Sequence, residues 1–125
     1  MNRTNCFVCE ISSSKKNTIY VGKYWLIDTP FDIKLKGLFF IKTKRHVESI
    51  EKLTTHEAIE LGKILVIASK KSQKLTKAKR IITWSLGLKD PHVHFWVVPV
   101  TEGNEKLIRD KISKAVKDFA DYYRK

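Results

Sequence analysis

Two histidines at positions i and i+2, His92 and His94, are the most chemically suggestive feature of this 125-residue sequence. They lie in a run of β-strand formers that extends from Pro91 to Pro99. Because strand side chains alternate between the two faces of a sheet, both imidazoles are expected to point the same way. Two histidines on one face, with apolar neighbours, indicate a site for a metal ion or a phosphate. The alternative is a sheet that carries two polar residues on its exposed face.

The two cysteines, Cys6 and Cys9, have the spacing of half a zinc site. Two intervening residues allow both sulfur atoms to reach one tetrahedral ion. The competing interpretation is a redox pair, but that motif normally follows a strand and opens a helix within a βαβ unit. Here the pair lies at the start of the sequence and precedes a polar stretch, which favours metal binding. Two cysteines are also too few for the multi-disulfide framework of a stapled secreted protein.

Two thiolates need two more ligands, and histidine is the obvious source. His56 is expected in the first turn of a helix, as a surface residue, whereas His46 follows a basic stretch beyond a predicted strand. A site made of Cys6, Cys9, His46 and one histidine of the later pair is chemically complete. The fourth histidine then remains for another task.

Hydrophobic periodicity and capping signals predict the elements that must position these residues. Short strands are predicted at residues 18–21, 24–28, 37–41 and 80–85, and along the histidine-containing run. Thr54 and Glu57 match a capping box, which predicts a long helix to about Leu75. A second helix is predicted over residues 104–124. This order predicts an α+β fold in which the two late strands pair antiparallel.

Composition limits the class of protein. The length suits one domain, and 42% hydrophobic with 30% charged residues is ordinary for a globular chain. No apolar run approaches a membrane span and the first residues form no apolar signal core, which predicts a cytoplasmic protein. The net charge of +12 favours anionic ligands such as nucleotides or nucleic acid. A solvated lysine-rich surface explains the charge slightly better, because no aromatic stripe for base stacking accompanies it.

Taken together, these features resemble the histidine triad (HIT) family of nucleotide hydrolases and transferases. The motifs that carry the resemblance occur in the family's order: Cys6-x-x-Cys9, Leu26-Ile27-Asp28, Lys44-Arg45-His46-Val47, and His92-Val93-His94 followed by Val97-Val98-Pro99. The resemblance implies a HIT-like α+β fold, with an antiparallel sheet and a long central helix, usually as a homodimer. We expect one such domain over residues 1–125, with the C-terminal helix at about 104–124 outside the shared core.

The resemblance also implies a structural zinc ion. In the zinc-binding branch of the family, the ligand positions correspond to Cys6, Cys9, His46 and His92. This set agrees with the ligand count above, and it leaves His94 without a role in the metal site.

His94 occupies the position of the family's nucleophile, which attacks the α-phosphorus of a nucleotide and forms a nucleotidyl-histidine. Neutral imidazole suits this chemistry, since it is a good nucleophile near pH 7. The resemblance implies that a backbone carbonyl of the same motif holds the other ring nitrogen. It further implies that Asp28 binds the ribose hydroxyls and that Ile27 packs on the base.

The chain departs from the family pattern at and before the motif. Trp96 replaces the third histidine, and an indole N–H donates a hydrogen bond but carries neither a proton nor a positive charge near neutral pH. Losing such stabilisation of developing charge typically costs orders of magnitude in rate. Ser85 substitutes weakly for the family's asparagine, and Lys89 replaces neutral phosphate-binding side chains with a charge.

Two functions from different classes follow from these residues. The presence of His94 favours a nucleotide phosphoramidase, hydrolase or nucleotidyl transferase that acts at an α-phosphate. Trp96 in the third position favours a zinc-stabilised nucleotide- or nucleic-acid-binding protein with weak or no turnover. A redox function of Cys6 and Cys9 has the least support.

Overall fold

The computed structural model describes residue 9 and residues 17–30, 36–86 and 91–124. Within these residues five strands form one sheet: β1 (Thr18–Val21), β2 (Trp25–Asp28), β3 (Phe39–Thr43), β4 (Arg80–Trp84) and β5 (His94–Val100). The helices are α1 (Thr55–Thr76), preceded by a short 3-10 turn (Ile50–Lys52), and α2 (Glu105–Tyr123). All neighbouring strands are antiparallel, in the order β1-β2-β3-β5-β4. The predicted α+β fold with an antiparallel sheet is confirmed.

Two strands differ from their predicted positions in a way that affects the site. β3 ends at Thr43 rather than at residue 41, so Lys42 belongs to the sheet and not to a polar segment. The strand accommodates this lysine because a carboxylate on β2 pairs with it. β5 begins at His94, so His92 precedes the strand. Strand alternation therefore does not apply to His92, and the expectation that both imidazoles share a strand face is wrong.

The sheet buries one face against α1. The side chains that form this core alternate along the strands and meet the helix: Trp25, Ile27, Phe39, Ile41, Val97, Ile64 and Ala68. Residues directly opposite each other in antiparallel strands share a face. The register therefore groups another set on the opposite side, which we call the His94 face: Asp28, Phe40, Lys42, Trp84, His94 and Trp96.

Local hydrogen bonds fix both ends of α1. The Glu57 N–H donates to Thr54 Oγ1 at 3.1 Å and the Thr54 N–H donates to Glu57 Oε1 at 2.8 Å, which is the predicted capping box. At the other end, Lys77 adopts a left-handed conformation with φ of 56°. Its N–H donates to the Gln73 carbonyl oxygen, which satisfies one of the last carbonyls of the helix.

The α2 helix contributes no buried side chain. Ile108 is half-buried, whereas six of its large apolar residues are between 45% and 69% exposed: Leu107, Ile112, Val116, Phe119, Tyr122 and Tyr123. Ion pairs between residues four apart connect its charged side chains, and such pairs support an exposed helix by a few tenths of a kcal/mol each. Despite these apolar residues, no helix in the described ranges is long and apolar enough to cross a membrane.

Replacing Gly37 by alanine is expected to lower the Tm. This residue has φ of 82°, and an added Cβ would lie 2.5 Å from Thr76 Cγ2. Gly62 in α1 is the matched control, because its Cβ would meet nothing within 4 Å and alanine is better than glycine inside a helix by about 1 kcal/mol. Thermal unfolding of Gly37→Ala and Gly62→Ala should therefore shift Tm in opposite directions. Equal shifts would contradict the left-handed assignment of Gly37.

Candidate functional site

Cys9, His46 and His92 meet at the end of β3. The Cys9 Sγ lies 3.1 Å from His46 Nδ1 and 3.2 Å from His92 Nδ1. The three ligand atoms all lie within 4.8 Å of one another, and the two imidazole rings cross at 86°. One sulfur and two ring nitrogens thus converge on a common point, and these are the donor types that zinc prefers. Cys6, the fourth predicted ligand, lies outside the described residues.

The hydrogen bonds of His92 determine its tautomer. The Thr43 hydroxyl donates its proton to the Arg45 carbonyl at 2.8 Å, so the hydroxyl oxygen accepts from His92 Nε2, 3.0 Å away. The Thr43 carbonyl oxygen, 2.9 Å from the same nitrogen, is also an acceptor. His92 Nε2 therefore carries the proton, and Nδ1 directs a lone pair towards Cys9. Metal-binding histidines are typically oriented in this way.

Burial lowers the pKa of His92 to about 4. The ring is 0% exposed, so its charged form would lose hydration. The hydrogen bond to Thr43 opposes this shift, whereas the positive charge of Lys42 adds to it. His92 is therefore neutral at neutral pH, which is the form that binds a metal ion.

The segment that carries His46 is attached to α1 and to the histidine motif. Arg45 donates from Nη2 to Glu57 Oε1 at 2.8 Å and from Nε to Oε2 at 3.2 Å. This bidentate pair keeps the pKa of Glu57 below its usual value. On the other side of His46, the Val93 N–H donates to the Val47 carbonyl at 2.7 Å. These two attachments hold the imidazole of His46 beside the chain that enters β5.

His94 has its own hydrogen-bond environment. Its Nδ1–H donates to the His92 carbonyl oxygen at 2.6 Å, which leaves the lone pair on Nε2. The ring is 7% exposed and packs on Phe40, with centroids 5.0 Å apart. An imidazole that donates through one ring nitrogen can present the lone pair of the other nitrogen as a nucleophile. The structure thus contains the orienting carbonyl that the family resemblance implies.

Trp96 lies in a row of aromatic rings on the His94 face. Its centroid is 4.9 Å from that of Phe40, and the planes make an angle of 52°. Trp84 is directly opposite Trp96 on β4 and is 40% exposed. The row presents π surface beside His94, where the third histidine of the family would present a titratable ring.

Asp28, a predicted site residue, is buried and pairs with Lys42, which is not among the predicted site residues. The two side chains are 1% and 0% exposed, and Asp28 Oδ2 forms an ion pair with Lys42 Nζ. Apart from this pair, neither Asp28 Oδ1 nor Lys42 Nζ makes a hydrogen bond with the described part of the chain. Such unused polar capacity is uncommon in a buried position. The neighbouring sequence gives no signal for it, because the partner lies on another strand.

The remaining predicted nucleotide contacts have different environments. Ile27 is 1% exposed and belongs to the core on the α1 side, so a contact with a base does not fit its position. Ser85 is exposed, and its Oγ donates to the His94 carbonyl at 2.6 Å. It thereby supports the strand that carries the histidine. Lys89 lies outside the described residues.

Comparisons with known proteins identify the fold. No protein-family pattern and no curated protein sequence matches the chain. Among solved structures, a hypothetical protein from Leishmania major aligns with a TM-score of 0.72 at 16% identity, over 96% of this chain and 99% of the other. A HIT family protein from Bacillus anthracis aligns with a TM-score of 0.70 at 15% identity, over 94% and 96%.

A zinc-bound histidine triad family protein from Mycobacterium smegmatis is also similar. Its TM-score is 0.69 at 15% identity, over 83% of this chain and 81% of the other. At these identities the likeness concerns the fold alone. The predicted HIT-like fold is therefore confirmed, and the likeness by itself assigns no substrate.

The metal-free protein is expected to lose stability as the pH falls from about 6.5 to about 4. Folded His92 has a pKa of about 4, whereas an ordinary histidine, as in the unfolded chain, has a pKa of 6.5. The unfolded state therefore binds more protons in this window, so acid favours unfolding, by up to about 3 kcal/mol. Denaturant unfolding of chelator-treated protein at a series of pH values measures this.

The exposed His56 provides the control for this measurement. His56→Gln should keep the pH dependence between pH 6.5 and 4, whereas His92→Gln should flatten it. An unchanged slope in His92→Gln would show that another group is responsible.

Proposed function

We propose that this chain is a HIT-type nucleotide hydrolase or nucleotidyl transferase that acts at an α-phosphate through His94. The single observation that carries the proposal is the hydrogen bond from His94 Nδ1 to the His92 carbonyl, because it leaves Nε2 as the nucleophile. In the first step the Nε2 lone pair forms a bond to phosphorus, and the bond to the leaving group breaks. The leaving group departs with that electron pair. Water or another acceptor then attacks the phosphorus, and the P–N electrons return to the imidazole.

Trp96 limits the leaving groups that this site can expel. An indole N–H does not transfer its proton near neutral pH, so the leaving group must take a proton from water or depart as an anion. A phosphate or polyphosphate is stable as an anion, whereas an amine or alkoxide is not. We therefore expect dinucleoside polyphosphates to react faster than phosphoramidates.

We propose that Asp28, Ser85 and Lys89 contact the nucleotide. Asp28 Oδ1 has acceptor capacity that a ribose hydroxyl can use. The Ser85 hydroxyl is exposed next to the His94 backbone. Ile27 is left out of this set because its side chain is buried in the core.

We propose further that Cys6, Cys9, His46 and His92 hold a structural zinc ion. The convergence of three donor atoms and the tautomer of His92 support this. Zinc at this point would cross-link the cysteine segment, the end of β3 and the entrance to β5. It would thereby stabilise the chain next to His94 without taking part in the reaction.

A homodimer in the cytoplasm completes the proposal. The apolar face of α2 is exposed in the single chain, and such a face is expected to be covered in an assembly. Among the described strands β4 lies at an edge of the sheet, and the exposed Trp84 lies on it. Thiolates that serve as zinc ligands suit a reducing compartment.

The alternative is a protein that binds a nucleotide or a nucleic-acid end with little or no turnover. Trp96 is the observation that favours it, since its ring provides stacking surface and no titratable group. Binding and turnover must therefore be measured on the same preparations.

Substituting His94 by alanine is expected to reduce turnover of a dinucleoside polyphosphate by about a thousandfold or more, because the nucleophile is removed. His56→Ala, at an exposed histidine, is the matched control and should keep the activity. Product release is measured by chromatography. If the parent protein binds nucleotide but acts on neither a dinucleoside polyphosphate nor a phosphoramidate faster than His94→Ala, the binding function replaces the enzyme.

Freshly purified protein is expected to contain about one equivalent of zinc, measured by elemental analysis. Cys9→Ser and Cys6→Ser should each lower the zinc content and the Tm, since each removes a ligand. His94→Ala, which leaves all four ligands, should keep the zinc. Less than about half an equivalent in the parent protein would count against the four-ligand site.

A further inference from the structure

We propose that Lys42 is a nucleotide-binding residue whose ammonium group binds the α-phosphate at His94. This inference rests on the proposed function, since it adds a residue to the same site. It places a positive charge in a site where Trp96 stands in the position of the family's third histidine, a side chain that can carry such a charge.

The burial of Lys42 is the first observation. Lysine is almost never fully buried unless it is paired, and Lys42, the second-last residue of β3, is 0% exposed. An ammonium group has three N–H donors, and removing it from water is costly when they are not satisfied. Asp28 is its only ion-pair partner among the described residues, through Oδ2.

The incomplete hydrogen bonding of the pair is the second observation. Both Asp28 Oδ1 and Lys42 Nζ are buried without a hydrogen-bond partner in the described ranges. A buried ion pair of this kind contributes little net stability, because desolvation offsets the attraction. Groups of a nucleotide could satisfy the unused hydrogen-bonding capacity of both side chains: a ribose hydroxyl can donate to Asp28 Oδ1, and a phosphate oxygen can accept from Lys42 Nζ.

The position of Lys42 relative to His94 is the third observation. The two residues are directly opposite in the register of β3 and β5, so their side chains leave the sheet next to each other on the His94 face. The Nζ lies 5.8 Å from the centroid of the Phe40 ring, and the same ring packs on His94. An ammonium group has three N–H donors, so Lys42 Nζ can stay paired with Asp28 Oδ2 and still donate to a phosphate at His94 Nε2.

The chemistry of the reaction gives this charge a use. Negative charge on the phosphoryl oxygens is best stabilised by a cation that is already fixed in a water-poor site. Lys42 meets this condition, because Asp28 and the sheet hold it before any ligand binds. A neutral Trp96 then supplies shape and π surface, while Lys42 supplies the charge.

The experiment compares ligands that differ only in the phosphate. Calorimetry measures the affinities of the four ribonucleoside 5′-monophosphates and of the four matching nucleosides. We define the phosphate preference as the affinity for a monophosphate divided by the affinity for the nucleoside with the same base. The test variant is Asp28→Asn/Lys42→Met, which removes the charge without leaving a buried carboxylate unpaired. Any loss of ribose binding through Asp28 affects both ligands and cancels in the ratio.

Three matched variants accompany it. Asp28→Asn keeps the lysine, Lys42→Arg keeps the charge, and Lys44→Met removes an exposed lysine two residues further along the chain. We expect the phosphate preference of the parent protein to fall by about tenfold or more in the double variant. It should persist in Lys42→Arg and Lys44→Met, whereas Asp28→Asn, in which the ammonium is present but no longer held by a carboxylate, should give a preference between those of the parent and the double variant. Equal preferences in the double variant and in Lys44→Met would overturn the proposal.

A second measurement uses the parent protein alone, in case the double variant does not fold. Protein labelled with 15N-lysine gives an ammonium resonance for a buried lysine, and Lys42→Arg identifies it by its absence. This resonance should shift with a nucleoside monophosphate and not with the nucleoside. Equal shifts with both ligands would reject the phosphate contact.

The outcomes separate the two proposals. Turnover that depends on His94, together with a phosphate preference that does not depend on Lys42, would reject the role of Lys42 alone. A phosphate preference that depends on Lys42, without turnover, would support this inference and reject the enzyme. A parent protein that binds none of these ligands would reject both.

Discussion

The register between β3 and β5 is the constraint on which the rest of the site depends. Ile41 and Val97 point into the core against α1, and their burial fixes the register between the two strands. The same register places Lys42 beside His94 on the opposite face. A slip by one residue would send His94 into the core, so the apolar packing on one side of the sheet determines the chemistry on the other. The relative positions of Lys42 and His94 therefore depend on the packing of the core on the other face of the sheet.

Backbone carbonyls decide what each histidine of the motif can do. His92 donates from Nε2 to the Thr43 carbonyl and turns Nδ1 towards Cys9, whereas His94 donates from Nδ1 to the His92 carbonyl and presents Nε2. Two identical side chains thus expose opposite nitrogens. The first suits a metal ligand and the second suits a nucleophile. This division does not require different side chains, because the chain path around residues 92–94 supplies it.

Capping residues and hydrophobic patterns within each element predicted most of the fold. The features that were not predicted depend on contacts between residues far apart in the sequence. The capping box at Thr54 predicted the start of α1, and the runs of strand-forming residues predicted the strand ends to within three residues. The burial of Lys42 was not predictable, because a lysine at a strand end reads as exposed until its partner on β2 is known. Ile27 was assigned from the motif, although alternation with Asp28 already indicated the other face. The cysteine spacing and the histidines predicted a metal site, the family resemblance selected His92 for it, and the role of Thr43 needed coordinates.

The three tryptophans lie on opposite faces of the sheet, so their fluorescence reports on two different parts of the molecule. Trp25 is fully buried on the α1 side, where its Nε1–H donates to the Glu57 carbonyl at 2.8 Å. Trp84 and Trp96 lie on the other side, beside His94. Intrinsic fluorescence therefore combines one tryptophan that reports on the integrity of the core with two that report on the surroundings of His94. Quenching that leaves the emission of Trp25 intact would distinguish ligand occupancy from unfolding without any added label.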